Sequence, residues 1–129
     1  MRIFKNTWFV RFAKKEGIND EHLCEAVNRA ENDRIDANLG GDVIKQRVAK
    51  PQKGKSGGWR VIVAFRKSQA AFFLFGFPKS SLGNIDDKEL KAFKLAAKEL
   101  LKLTEKKLDK LIEQEKLSEV SYEKEKVSK

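Results

Sequence analysis

Apolar residues near the N-terminus recur every three or four positions, which is the spacing of amphipathic helices. A first helix is predicted from Trp8 to about Glu16, with Thr7 as its cap and Gly17 as its stop. Asn19 is predicted to cap a second helix, whose apolar stripe fades near Asp33. The two helices are expected to form a hairpin on a sheet, and the β-like segment 2–5 before them is a candidate edge strand.

The spacing changes to an alternation of two in the middle of the chain, after a loop predicted over 35–42. Val43–Ala49 and Trp59–Arg66 alternate as half-buried strands do. Ala70–Phe77 is apolar on both faces and is predicted to be a central, covered strand. Its phenylalanines are expected to lie in the core rather than to stack on bases, with Phe77 as the exception because it ends the strand.

Helical spacing returns in the last third. Asp86, with Glu89 three positions later, has the pattern of a capping box for a helix that runs to about Leu103. Thr104 is predicted to cap a fourth helix. The order of elements predicts an α+β fold in one domain, residues 1–120, followed by a charged, frayed tail, 121–129.

Charge is distributed unevenly along the chain. The stretch from Val43 to Ile85 holds nine of the 28 Lys and Arg residues and none of the 19 acids. The rest of the chain is therefore electrically balanced, and the net charge of +9 belongs to the part that is predicted to form the sheet. A basic sheet between balanced helices is typical of a surface that binds a polyanion, most often a nucleic acid.

Composition argues against several kinds of chemistry. His22 is the only histidine and is expected to be a solvated helix residue, so histidine-based triads are not expected. Cys24 is the only cysteine and is expected to be a small core residue. Because one histidine and one cysteine supply no spaced ligand pairs for a metal, no metal or cofactor is expected. The glycines lack the spacing of a nucleotide-binding loop. The sequence shows no apolar run long enough to span a membrane and no pattern of a signal peptide. A cytoplasmic protein with no membrane partner is therefore expected.

Several cations are candidates for binding phosphate. Lys45 and Arg47 share one face of their strand, about 7 Å apart, although an ordinary solvent-facing surface would show the same pattern. Arg60 opens its strand beside a Gly-Gly bend, where a guanidinium can bind a phosphate with two hydrogen bonds. The loop between these strands carries three lysines and no acid, and it is predicted to contact phosphates: Lys50, Lys53 and Lys55.

The segment KGKSGGWR, followed by a hydrophobic strand, a tight turn, an aromatic strand ending FGFPK and then NIDDKEL, resembles the RelE/HigB-like bacterial toxins of type II toxin–antitoxin systems. The likeness covers about residues 1–120 and is most specific over 39–90. It implies a small, twisted, mostly antiparallel sheet packed by an N-terminal helical hairpin and C-terminal helices. It further implies an mRNA interferase, an endoribonuclease that cuts mRNA in the ribosome, blocks translation and needs no metal, because the RNA 2′-hydroxyl attacks the adjacent phosphate. The implied partners are a cognate antitoxin, the ribosome and mRNA.

The resemblance also suggests roles for individual residues. Lys45 and Arg47 match the family's basic pair and are assigned to phosphate binding, with Lys45 as a candidate general base if neighbouring cations favour its neutral form. Arg60 matches an arginine that stabilises transition-state charge. Lys79 matches the basic position after the aromatic strand and is the candidate proton donor, because Ser80-Ser81-Leu82 replaces a run that carries an arginine in many relatives. RNA binding is assigned to five further residues: Lys50, Lys53, Lys55, Arg66 and Phe77.

Two other interpretations remain open from the sequence. The first is a toxin or binding module on the same scaffold that does not cleave RNA, such as a ParE-like gyrase inhibitor or a degenerate RNA binder. The second is a structural RNA-binding domain, which the lack of exposed aromatic residues between the cations disfavours. Strand cations that converge on one cleft would favour cleavage, whereas cations spread over the outer helix faces would favour simple binding.

Overall fold

The structure is a computed structural model that describes residues 1–50, 57–79 and 85–121. Lys53 and Lys55, the loop 80–84 and tail residues 122–129 lie outside the described residues. Within the described ranges, no helix is both long and apolar enough to cross a membrane.

The centre of the fold is a six-stranded sheet in the order β2-β3-β4-β5-β1-β6. All neighbouring strands are antiparallel except β1 and β5, which are parallel. The predicted α+β class with a mostly antiparallel sheet is therefore confirmed. The strands are β1 (Arg2–Asn6), β2 (Ala37–Gly40), β3 (Val43–Val48), β4 (Trp59–Arg66), β5 (Ala70–Pro78) and β6 (Leu117–Glu119).

Helices cover both faces of the sheet. The helices are α1 (Thr7–Glu16), α2 (Asp20–Glu31), α3 (Asp87–Leu100) and α4 (Glu105–Glu113). On one face α1 and α2 enclose a core that includes Phe9, Leu23 and Phe73. On the other face α3 and α4 enclose a second core around Phe4 and Phe72. Because each strand alternates its side chains between the faces, every residue of β3 or β4 belongs either to the α1–α2 side or to the α3–α4 side.

The helix caps agree with the sequence in three of four cases. Asn19 and Asp86 each complete a capping box, and the Thr104 side chain accepts a hydrogen bond from the N–H of Lys107 at 3.2 Å. The predicted cap of α1 is wrong, because Asn6 caps it by accepting a hydrogen bond from the Phe9 N–H at 2.8 Å. Thr7 is instead the first helical residue. The end predicted for α3 is also three residues too far, since this helix ends at Leu100.

Three features of the sheet differ from the prediction. The first strand is not an edge strand, because β1 lies between β5 and β6. Residues 37–40, predicted as loop, form β2, and residues 117–119 form β6 at the opposite edge. The central position of β5 is confirmed, and Phe72 and Phe73 are both buried. Cys24 packs half-buried against the core of α1 and α2, as expected.

Candidate functional site

An open cleft of about 670 Å³ lies where β3 ends, β4 begins and β5 ends. The antiparallel pairing brings these strand ends together at one end of the sheet. Side chains from α2 complete the wall. The cleft is lined by four cations (Arg29, Arg47, Arg60, Lys79), by Glu21, His22 and Glu25 of α2, and by Val48, Ala49 and Gly57.

Two arginines face each other across the strands at this cleft. Arg47 of β3 is the direct partner of Arg60 of β4, so their Cβ atoms are about 5 Å apart on the same face of the sheet. Like charges directly opposite each other destabilise a strand pair. Arg60 is half-buried, and no described acid lies within 4.0 Å of its guanidinium. A bound anion between the two arginines would remove this repulsion.

Asp36 and Arg29 hold the backbone of Arg47. An Asp36 carboxylate oxygen accepts a hydrogen bond from the Arg47 N–H at 2.7 Å, and its other oxygen lies 3.6 Å from the Arg47 Nε. Arg29 donates to the Arg47 carbonyl and, at 3.2 Å, to Asp36. Burial alone would raise the pKa of Asp36, but the hydrogen bonds from Arg47 and Arg29 together lower it below its ordinary value. Arg47 therefore enters the cleft from a fixed stretch of backbone.

Buried Gln46 anchors Asp36 to the second helix. The side chain of Gln46 lies on the α1–α2 side of the sheet, accepts a hydrogen bond from the Asp36 N–H at 2.7 Å and donates to the Ala26 carbonyl at 2.9 Å. The residue next to the arginine thus ties β3 to α2 and to the segment before β2.

A glycine corner places Lys79. The Lys79 N–H donates to the Gly58 carbonyl at 2.9 Å, which joins the end of β5 to the start of β4. Gly58 has φ +114°, and a Cβ atom there would lie 2.7 Å from the Val48 carbonyl oxygen, so only glycine fits. Trp59 follows Gly58 at the start of β4. Its ring lies 5.9 Å from the Lys50 Nζ, and its indole N–H donates to the Glu16 carboxylate.

The structure brings together Arg47, Arg60 and Lys79 from the residues that the sequence predicted. Lys45 lies on the same face as Arg47, two residues away and half-buried, and Lys50 is exposed beside Trp59. Arg66 is at the far end of β4, about 20 Å from Arg60, and its guanidinium pairs with Asp42 at 2.7 Å. Arg66 is therefore not part of the cleft.

Aromatic side chains pack near this end of the sheet. Phe77 is the cross-strand partner of Arg60 and is half-buried, with its ring 6.3 Å from that of Phe75. Trp8, which is 37% exposed, has its ring 4.5 Å from the same Phe75. Phe77 therefore lies beside Arg60 at this end of the sheet.

Two residues of the site were missed in the sequence. Arg29 belongs to the polar side of an amphipathic helix, and Asp36 lies in a segment that was predicted as loop. His22 was expected to be solvated, but its Nδ1 accepts a hydrogen bond from the Asn19 N–H at 3.0 Å as part of the capping box. A histidine three positions after an asparagine cap was the one available signal for this last contact.

A mostly antiparallel sheet with helices on both faces and a cleft of arginine and lysine side chains at one end defines a small basic α+β protein suited to binding an anion. A family model described as the RelE toxin of the RelE/RelB toxin–antitoxin system matches residues 1–120. The chain belongs to this family, and it is the toxin of a toxin–antitoxin pair. A search of curated proteins found no match.

Proposed function

We propose that this toxin is a ribosome-dependent mRNA endoribonuclease that works without a metal ion and blocks translation. The observation that carries the proposal is the convergence of Arg47, Arg60 and Lys79 on one open cleft. Two of these cations repel each other across a strand pair, so a phosphate is the natural ligand between them. Membership of the RelE family supports the same activity.

The proposed reaction is an internal transesterification of RNA. The 2′-hydroxyl oxygen forms a bond to the adjacent phosphorus, and the bond from phosphorus to the 5′-oxygen of the next nucleotide breaks. The products are a 2′,3′-cyclic phosphate and a 5′-hydroxyl. One proton must leave the attacking hydroxyl and one must reach the leaving oxygen. Between these events the phosphorane carries extra negative charge, which fixed cations stabilise.

Each cation has a role that follows from its position. Arg60 is held by no described acid, so its fork of N–H donors is available to bind the non-bridging oxygens of the phosphorane. Arg47, fixed by Asp36 and Arg29, binds the phosphate and sets its position between the strands. Lys79 is the proposed proton donor to the leaving oxygen, and Lys45 remains the candidate base.

The ribosome and the antitoxin are the proposed partners. The cleft is open to solvent and its wall includes Glu21 and Glu25, so phosphate contacts alone would hold a free RNA strand weakly. A ribosome that presents the mRNA in an extended form would supply the missing orientation. The antitoxin would prevent cleavage by covering the basic cleft or by displacing the last helix.

Induced expression in a bacterium tests the proposal. The wild type should arrest growth and produce new 5′ ends in a reporter mRNA at codon-phased positions, only while that mRNA is translated. Arg47→Gln with Arg60→Gln should abolish both effects. The matched control is Lys14→Gln with Lys15→Gln, which removes the same charge from the last turn of α1 and should remain toxic.

Two results would contradict the proposal. Toxicity and cuts that survive the double arginine change would show that the cleft is not the active site. Growth arrest by the wild type without any mRNA cuts would favour a toxin that does not cleave RNA, such as a gyrase inhibitor.

A further inference from the structure

A row of lysines runs along one side of α3. Lys91, Lys94 and Lys98 recur at spacings of three and four, which places them on the same side of the helix. Lys91 and Lys98 are exposed, and Lys94 is half-buried. Among the described residues, none of the three has a carboxylate within 4.0 Å. Like charges at this spacing repel, so the row is less stable without an anion than with one.

Lys94 connects the row to the turn between β2 and β3. A Cβ atom built on Gly41 would lie 2.9 Å from the Lys94 Cγ, and one on Gly40 would lie 3.4 Å from its Nζ. The side chain of Lys94 therefore lies against the turn between β2 and β3. Because Gly40 and Gly41 have no side chains, the helix can approach them closely.

Lys45 lies between this row and the cleft. Val43, at the start of β3, is buried in the core under α3, and Lys45 and Arg47 follow on the same face at intervals of two residues. Each interval spans about 7 Å, so the cleft and the lysine row lie at opposite ends of one short strand. The step from Arg47 to Lys45 is similar to the step between successive phosphates of an extended RNA strand.

The acids around the row leave this side of α3 positive. Asp42, next to the turn, is bound by Arg66 at 2.7 Å. A Glu99 carboxylate oxygen lies 3.8 Å from the Nζ of Lys102, a residue that follows the end of α3. Asp87 lies one turn before Lys91, in the first turn of the helix, where the dipole favours an acid.

We propose that Lys91, Lys94 and Lys98 form a phosphate track that binds the backbone of an RNA strand where it leaves the cleft past Lys45. The proposal rests on the proposed function, because the cleft defines where the strand starts. It adds a second contact surface to the nuclease, with RNA as the ligand and the sugar–phosphate backbone as the part that is recognised. Recognition of this kind is independent of base sequence and sensitive to salt.

The test measures binding of the purified protein to an RNA oligonucleotide in which every sugar is 2′-O-methylated, so that the proposed cleavage cannot occur. Dissociation constants are measured over a series of salt concentrations for the wild type and for Lys91→Gln with Lys94→Gln and Lys98→Gln. Glutamine keeps the helix propensity of the lysines. The matched control replaces Lys14, Lys15 and Lys67 with glutamine, which removes the same charge elsewhere.

Each lost phosphate contact lowers the slope of log affinity against log salt by about 0.7, so the α3 variant should lose about 2 units of slope. Its affinity near physiological salt should fall roughly tenfold to fiftyfold on the same basis. The control should keep the slope of the wild type. An α3 variant that binds like the control would overturn the track.

Two further measurements, binding by the Arg47→Gln, Arg60→Gln protein and co-sedimentation with ribosomes, separate this proposal from the proposed function and identify the RNA that is bound. If the α3 variant loses slope while the Arg47→Gln, Arg60→Gln protein does not, the track stands and the cleft proposal fails; the reverse result overturns the track alone. Co-sedimentation with ribosomes that carry no mRNA extends the test to ribosomal RNA. Loss of binding by the α3 variant on ribosomes alone would overturn the track as a site for the strand that leaves the cleft, and loss on the oligonucleotide would support it.

Discussion

At the scale of single residues, the cleft depends on side chains that do not themselves face the phosphate. Asp36 accepts hydrogen bonds from the Arg47 backbone and from Arg29, and its other oxygen lies 3.6 Å from the Arg47 Nε. Removing the carboxylate would leave the Arg47 N–H without its acceptor and would take one of three acceptors from Arg29. The position of Arg47 is therefore a property of Asp36 as much as of β3.

Asp36→Ala should lower the free energy of unfolding by about 1–3 kcal/mol, because it leaves the Arg47 N–H without an acceptor. Chemical denaturation at pH 7 measures the loss. Asp36→Asn keeps an acceptor but not the charge and should fall between the alanine variant and the wild type. Asp33→Asn, which changes an exposed acid paired with Lys67, is the control and should change stability little.

The pH dependence of this effect has a defined sign. The folded state lowers the pKa of Asp36 below its ordinary value of 3.8, so its stabilising effect is complete above that pH. The effect is lost as the pH falls through the lower, folded-state pKa. The difference in stability between wild type and Asp36→Ala should thus shrink in strong acid, and a difference that grew there would contradict the assigned hydrogen bonds.

The sequence could predict Arg47 and Arg60 as candidates because alternation alone assigns them to a strand face. It could not predict Arg29 or Asp36. Their contacts join positions 7, 11 and 18 residues apart, across an element boundary that no periodic pattern describes. Their role depends on the packing of α2 against β3.

At the scale of elements, strong periodicity and cap residues predicted four helices and the three long strands. The two missed strands, β2 and β6, have four and three residues, too few for an alternating pattern, and include polar residues and glycine. The position of β1 within the sheet also could not be predicted from the sequence, because its parallel partner begins at Ala70, far along the chain. Such pairing depends on the whole fold rather than on local sequence.

One arginine attaches the last elements to the first strand. Arg2 of β1 donates two hydrogen bonds to Glu119 of β6, both at 2.9 Å, and pairs with Glu105 and Asp109 of α4. The hydrogen bond from Arg2 lowers the pKa of Glu119 below its ordinary value. The C-terminal edge strand and α4 therefore depend on an ion-pair network as well as on the core.

Arg2→Gln should destabilise the protein by about 1 kcal/mol at neutral pH, since the network is partly exposed. Hydrogen exchange should show faster exchange in β6 and α4 than in β3 or β4. The difference from wild type should be complete above pH 4.5 and decline as the pH falls through the lowered pKa of Glu119. Arg11→Gln, on the exposed side of α1, is the control; equal protection of β6 in both variants would contradict the role of Arg2.

At the scale of the whole molecule, the net charge of +9 is organised by the fold. Arg47, Arg60 and Lys79 converge at one end of the sheet, and Lys45 continues their face towards α3. Cations at the far end of the sheet are engaged with acids, as Arg66 with Asp42 and Lys67 with Asp33. This arrangement leaves the surface from the cleft towards α3 available to an anionic partner.

The chemistry of the RNA ends tests the central claim most directly. The purified toxin is incubated with an mRNA, alone and on translating ribosomes, and the ends of every cut are identified. Cuts that need the ribosome, carry a 2′,3′-cyclic phosphate and a 5′-hydroxyl, and disappear with Arg60→Gln are the predicted result. Cuts that leave a 5′-phosphate, or that persist in the Arg60→Gln protein, would contradict cleavage by 2′-hydroxyl attack in the basic cleft.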